Sequence, residues 1–392
     1  MASFMNERNP RYDGLHVYTV DLGKLMPGDV LLTRNVEAAS SKGRFQSGAI
    51  MKATRGSFSH ALLCTVPPTF IEAVGHGVSN LTMLSCFAHD LKNVRMLRYH
   101  DSSIAKNAGS EALPLLGQEY SIRKAVHSIL PSARLTEVPD DKLFCSALVA
   151  AAFRKAGAKE FENVDPMKVT PATIEKAQYF ADVTDTVFRR ILSPSNIEEM
   201  SALDGDRAVS PLGGQAKLFQ EFCSTLLPMI RDFIDGTPEL TFTKVPTTFL
   251  ECVMFIGAAH VAIDKWPETI SSGAKMNLSN IDNATYELLA DGRFDEMQSN
   301  ATASDEESLQ YTISQSFLQN PDIDLENTRA LIAATRQQIS SRSKLFEYRE
   351  KMEMAKATKK WLEISQEIVD VQKRRLAGLE ESVRRAFPGE TF

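Results

Sequence analysis

No CxxC pair occurs in the 392 residues, and the five cysteines (Cys64, Cys86, Cys145, Cys223 and Cys252) stand far apart. An odd, scattered set excludes a disulfide scaffold and a structural zinc site, and it suits a reducing compartment. Glycine-rich nucleotide signatures are missing too: there is no GxxxxGK[ST] run and no GxGxxG, which removes the usual basis for nucleotide-dependent chemistry. Charge of one sign is not in excess, with 44 Lys and Arg against 50 Asp and Glu and a net charge of -6. The chain therefore has no global attraction for nucleic acid. Long apolar runs are absent as well. The most apolar stretch, Phe249 to Ile263, contains Glu251 and His260 and falls short of the ~20 residues that span a bilayer. It reads as a buried helix, and no stable membrane insertion is expected. The first residues lack the charged start, apolar centre and small-residue cleavage site of a secretory signal, so the mature chain is expected to begin where the sequence does, in the cytoplasm.

What is present is ordinary globular composition, 43% apolar and 24% charged, over a length that favours two domains. From Pro27 to Arg98 short strand-like runs alternate with Gly and Pro: Asp29–Thr33, Ala61–Val66, Thr69–Ala73 and Val94–Tyr99. Pro67 and Pro68 form a turn, so the second and third runs make a hairpin that puts His60 and Glu72 on neighbouring strands. Helical spacing follows near Ser102–Leu116, Phe144–Lys155 (stopped by Gly157) and Pro171–Gln178, then a strand-like run near Phe180–Phe188. This reading gives an α+β domain over residues 1–195, a linker over 196–215 and a helical domain over 216–392. In the helical part, Leu218–Ile234, Thr247–Trp266 and a long region from Leu325 to Arg385 carry helical periodicity, whereas the polar 270s to 320s are expected to hold loops. Trp361, Ile364, Ile368 and Val371, then Leu376, Leu379 and Val383 after a phase slip, mark an amphipathic helix that packs within a bundle or across a coiled-coil dimer.

The chemistry concentrates in the first domain. A thiol becomes a nucleophile when its pKa is lowered, and a helix N-terminus and a nearby imidazole both do this. Cys145 stands where Leu143 and Phe144 give way to an alanine-rich helical run, with Ser146 in the first turn. The N–H groups exposed at that helix end can hold a developing oxyanion. His60 opens the apolar strand SHALLCTV and suits a proton shuttle, and Glu72 on the adjoining strand suits the group that orients it. Competing readings exist at each position. Cys145 is equally a residue type that fills cores, and His76, in the turn GHG, competes with Glu72 or lies in solvent. Cys64, four residues from His60 on the same strand, reads as core. Tyr120 reads as a packed aromatic or a residue lining the site. His260 and Asp264, at i and i+4, read as a helix-surface pair.

Five segments in order resemble the YiiX-like circularly permuted papain-fold amidases, relatives of the NlpC peptidases and of lecithin retinol acyltransferase. They are Pro27–Arg34 (PGDVLLTR), Ser59–Val66, Phe70–Val78 (FIEAVGHGV), Gly117–Tyr120 (GQEY) and Phe144–Val149 (FCSALV). The histidine precedes the cysteine, as in the permuted members. Ala147 and Ser121 stand where the family often has acidic residues, which bears on substrate preference. The resemblance implies a permuted papain-like fold with a small antiparallel sheet, a Cys145–His60–Glu72 triad, and hydrolysis of a peptide, isopeptide or small amide bond without cofactor or metal. Two alternatives stand beside it. One is acyl transfer or lipid hydrolysis at the same thiol, and the other is a catalytically inactive binding module whose helical half is a platform for a homodimer or a protein partner.

Overall fold

The computed structural model describes residues 15–36, 47–48, 50–52, 54–74, 77–115, 144–193, 197, 200–205, 213–242, 245–297, 299, 321–343 and 355–389. The fold is α+β, with a six-stranded antiparallel sheet and several helices. The chain divides into two compact units, one built mainly from residues before Pro211 and one mainly from residues after it.

In the first unit the strands are β1 (His16–Val20), β2 (Val30–Thr33), β3 (His60–Val66), β4 (Thr69–Val74), β5 (Gly77–Thr82), β6 (Cys86–Phe87), β7 (Val94–Tyr99), β8 (Phe180–Asp182), β9 (Phe188–Leu192) and β10 (Ser201–Ala202). The main sheet runs β5-β4-β3-β2-β7-β8, every pair antiparallel. β1 pairs with β9, and β6 with β10. The sheet is buried on both sides. Leu31, Leu62, Cys64, Phe70, Leu81 and Met96 join a core shared with Val20, Cys86 and Phe188. The residues that alternate with them, Val30, Leu32, Ala61, Leu63, Ile71 and Leu97, are equally buried. Such strands read as near-continuous apolar runs, which is why β2, β3, β4 and β7 are visible in the sequence.

Three helices belong to this unit's working parts: α1 (Ser102–Ala112), α2 (Cys145–Lys155) and α3 (Pro171–Glu175). Both α1 and α2 pack against β3 and against each other. The sequence CSALVAAAFRK favours a helix through its alanines, and Ala147, Leu148, Val149, Ala150, Ala152 and Phe153 are all fully buried.

Several expectations change. The run Phe180–Phe188 is not one strand: β8 ends at Asp182, the helical turn Thr184–Val187 intervenes, and β9 starts at Phe188. Asp182 causes the break, because its carboxylate accepts from Thr184 N–H and turns the chain. Residues 200–205, expected within a linker, are built into the unit. Asp204 is fully buried, and its carboxylate accepts from the backbone N–H groups of His89 and Asp90, from His89 Nδ1 and from Asn93 Nδ2. Those bonds and the β6–β10 pairing hold a polar segment that composition alone assigns to a free connection.

The second unit is helical, with α4 (Gly213–Asp235), α5 (Phe249–Lys265), α6 (Ser272–Ala290) and α8 (Lys356–Ala386); α7 (Pro321–Ser343) spans the division. α6 corrects the expectation of loops after residue 270. Its buried residues Ala274, Leu278, Ile281, Thr285 and Leu289 recur at three- and four-residue steps, but one small and one polar member of that stripe dilute the apolar signal. Phe222, Phe249, Val253, Ile256, Leu278, Ile281 and Ile364 form the core, with Trp361 and Ile368 against it. The first part of the α8 seam, Trp361, Ile364 and Ile368, therefore packs into this core within the same chain, where α8 meets α5 and α6. No helix among the described residues is long and apolar enough to cross a membrane.

Candidate active site

The register of the main sheet sets the first half of the site. Leu62 on β3 lies opposite Glu72 on β4. Paired residues share a side of the pleat, and so do residues two apart. His60, two before Leu62, thus stands diagonal to Glu72, within reach of a long side chain. Its Nε2 is 2.7 Å from Glu72 Oε2. Glu72 is 5% exposed, so solvent screens this contact little.

The second half is the start of α2. Phe144 occupies the N-cap and makes no side-chain capping bond, so the first-turn N–H groups are left to other acceptors. Cys145 is the first helical residue and is 7% exposed. The His60 imidazole and the backbone N–H groups of Ala61 and Ser146 act on its thiol. With Nε2 of His60 engaged by Glu72, Nδ1 is the nitrogen left for the thiol. The three residues form a continuous chain: sulfur, imidazole, carboxylate.

The electrostatics follow from that chain. Burial pushes the Cys145 thiol up, yet the adjacent His60 and the two backbone N–H donors outweigh it and bring the thiol below its ordinary value. Burial likewise pushes the imidazole down, but Cys145 first and Glu72 second outweigh it and raise His60 from 6.5 to about 9. Each shift runs in the direction that favours the group's own charged form beside the other, a thiolate next to an imidazolium.

The other candidates separate clearly. Ser146 is fully buried and its Oγ donates to Val169 O at 2.7 Å; its hydroxyl ties α2 to the segment before α3, and only its N–H reaches the sulfur. Cys64 lies in the apolar core, where burial raises its thiol well above the ordinary value. His260 faces Asp282, with Nε2 3.5 Å from Oδ2, in place of the Asp264 expected from helical spacing. Tyr120 and His76, and the GQEY segment, lie outside the described residues.

No protein-family model, curated protein or solved structure matches this chain.

The site uses groups that sequence reading misses. Ala61 N–H and Val169 C=O are backbone atoms, which no residue type announces. Glu175, which holds the segment leading into His60 through Ser57 N–H at 2.9 Å, lies 115 residues from it in the chain (175 minus 60) and belongs to no recognisable motif.

Proposed function

We propose that the chain is a thiol hydrolase of the permuted papain-like kind that cleaves an amide bond. The observation that carries this reading is the buried Cys145–His60–Glu72 chain at an uncapped helix N-terminus. In the proposed cycle the Cys145 thiolate attacks the carbonyl carbon, and the negative charge moves to the carbonyl oxygen, opposite backbone N–H donors of the α2 start. The C–N bond then breaks, and the His60 imidazolium passes its proton to the departing amine. A water molecule enters and gives its proton to the now neutral His60. The resulting hydroxide attacks the thioester, the C–S bond breaks, and the carboxylic product leaves the thiolate and imidazolium restored. Glu72 holds the ring in place and stabilises its cationic form throughout.

The amide preference is supported by the ordered resemblance of five segments to the permuted amidases and by a base raised well above neutrality, which keeps a proton available for a poor amine leaving group. The test is turnover of a fluorogenic peptidyl-amide library beside phospholipid vesicles. Amide cleavage by the wild type that disappears in Cys145→Ala is expected. Lipid turnover without amide cleavage overturns the amide preference, and equal turnover by Cys145→Ala overturns the thiol mechanism.

A further inference from the structure

The proposed pair comes from elements far apart in sequence, and one short segment touches both. On the nucleophile side, Val169 O accepts from the Ser146 hydroxyl at 2.7 Å, and the turn Pro166–Lys168 packs against α2. On the base side, α3 meets the five residues that precede His60. Glu175 Oε2 accepts from Ser57 N–H at 2.9 Å. Its Oε1 accepts from Arg95 Nη1 at 3.1 Å, and that guanidinium lies 5.1 Å from the ring centre of Phe58, a cation–π distance. Lys176 Nζ donates to Arg55 O. Gly56 approaches Ala172 so closely that a Cβ at position 56 would sit 2.5 Å from the Ala172 methyl. Ser59, the last residue before the base, is itself fixed by Ser47 Oγ at 2.7 Å and by its N–H to Thr33 O at 3.0 Å.

Each contact is polar and directional or sterically tight, and Glu175 carries two of those on the base side. Its side chain is 9% exposed, and it holds both a backbone group and the cation above Phe58. α3 itself is fixed by Pro171 at its start and by a capping box between Thr170 and Thr173, with Val169 and Ile174 fully buried. A rigid, short element that bonds to both carriers of a two-residue site sets their separation.

We propose that Val169–Lys176 is a brace that fixes the distance between Cys145 and His60, and that Glu175 is a positioning residue for the pair. This inference rests on the hydrolase reading above. Loss of the Glu175 carboxylate frees Ser57 and Phe58, lets the start of β3 shift, and weakens the contact between imidazole and thiol. The thiolate then loses its cation, so reactivity falls at low pH and recovers only when pH passes the ordinary thiol range.

The test is the rate of alkylation by iodoacetamide as a function of pH, with mass-spectrometric mapping of the labelled cysteine, on the full chain. Wild type, Glu175→Ala, Glu175→Asp and Glu175→Gln are compared, each with its thermal unfolding curve. In Glu175→Ala and in the shorter Glu175→Asp, labelling of Cys145 near pH 6 should fall about tenfold, with the mid-point of the profile moved up by about one pH unit. Glu175→Gln keeps an acceptor for Ser57 N–H and should restore most of the wild-type profile. Simple loosening gives the opposite sign, since Cys145 is 7% exposed and added exposure speeds its labelling at every pH. Should Glu175→Ala fail to fold, Glu175→Asp carries the test. A wild-type profile in a folded Glu175→Asp or Glu175→Ala overturns the brace and leaves the hydrolase reading standing. A wild type without low-pH reactivity at Cys145 overturns both.

Discussion

Replacing Glu72 by glutamine removes a buried charge and keeps an oxygen that can accept from the imidazole. The contact is 2.7 Å long and Glu72 is 5% exposed, so the charge acts on His60 with little screening. Burial lowers the His60 value; Cys145 and then Glu72 more than offset it and raise the ring from 6.5 to about 9. That rise corresponds to about 3 kcal/mol in favour of the protonated ring. Cys145 and Glu72 both hold the ring in its charged form, and an opposite charge at this distance is worth on the order of one pKa unit or more. The sign is fixed by linkage. A raised imidazole stabilises the fold fully below its unfolded value and loses that contribution as pH rises through the folded value. In the wild type the loss spans 6.5 to about 9, and in Glu72→Gln its upper end should come about one unit earlier. The assay is an NMR titration of ring-labelled histidine, with the His60 resonance assigned from His60→Ala. A His60 value that stays within a few tenths of the wild type refutes the assignment of Glu72 as its partner.

Two further predictions concern the frame around the site. Arg98 makes two bonds to Asp29, Nε to Oδ1 at 2.8 Å and Nη2 to Oδ2 at 2.7 Å, and Asp29 is 1% exposed. Arg98→Ala leaves that buried carboxylate without its cation, with Met26 N–H still bonded to it at 2.9 Å, and should cost about 3–5 kcal/mol in denaturant unfolding; a loss below about 1 kcal/mol would contradict the buried pair. In the second unit, Asp282 accepts from Lys356 N–H at 2.9 Å and Ala357 N–H at 2.8 Å, so a side chain from α6 caps α8. Asp282→Ala should cost about 1–2 kcal/mol and speed amide exchange in the first turn of α8, and unchanged exchange there would refute the cap.

The site's side chains were legible because each sits at a boundary that leaves a mark. His60 opens an apolar run, Pro67 and Pro68 turn that run back on itself, and Cys145 stands where an alanine-rich helix begins. The hairpin then fixes Glu72 beside His60 through register alone. What stayed hidden was held by contacts between distant segments. β5 reads GVSNLT, too polar for a strand until Glu72 and Ser79 are seen to pair across it. α6 hides its stripe behind alanine and threonine. The Asp204 cluster and the Glu175 brace join residues more than a hundred positions apart, and no local pattern encodes such distances. The direction of the Ser146 hydroxyl likewise depends on what lies behind the helix start, here Val169 O.

The central claim is that Cys145 is a nucleophile activated by His60. Intact-protein mass spectrometry with peptide mapping after mixing the protein with p-nitrophenyl acetate at neutral pH tests it directly. The account predicts a single acetyl group on Cys145 that forms and then turns over, slows by at least about tenfold in His60→Ala, and is missing in Cys145→Ala. Acetylation spread over other side chains, or a Cys145 that acetylates equally fast without His60, would contradict it.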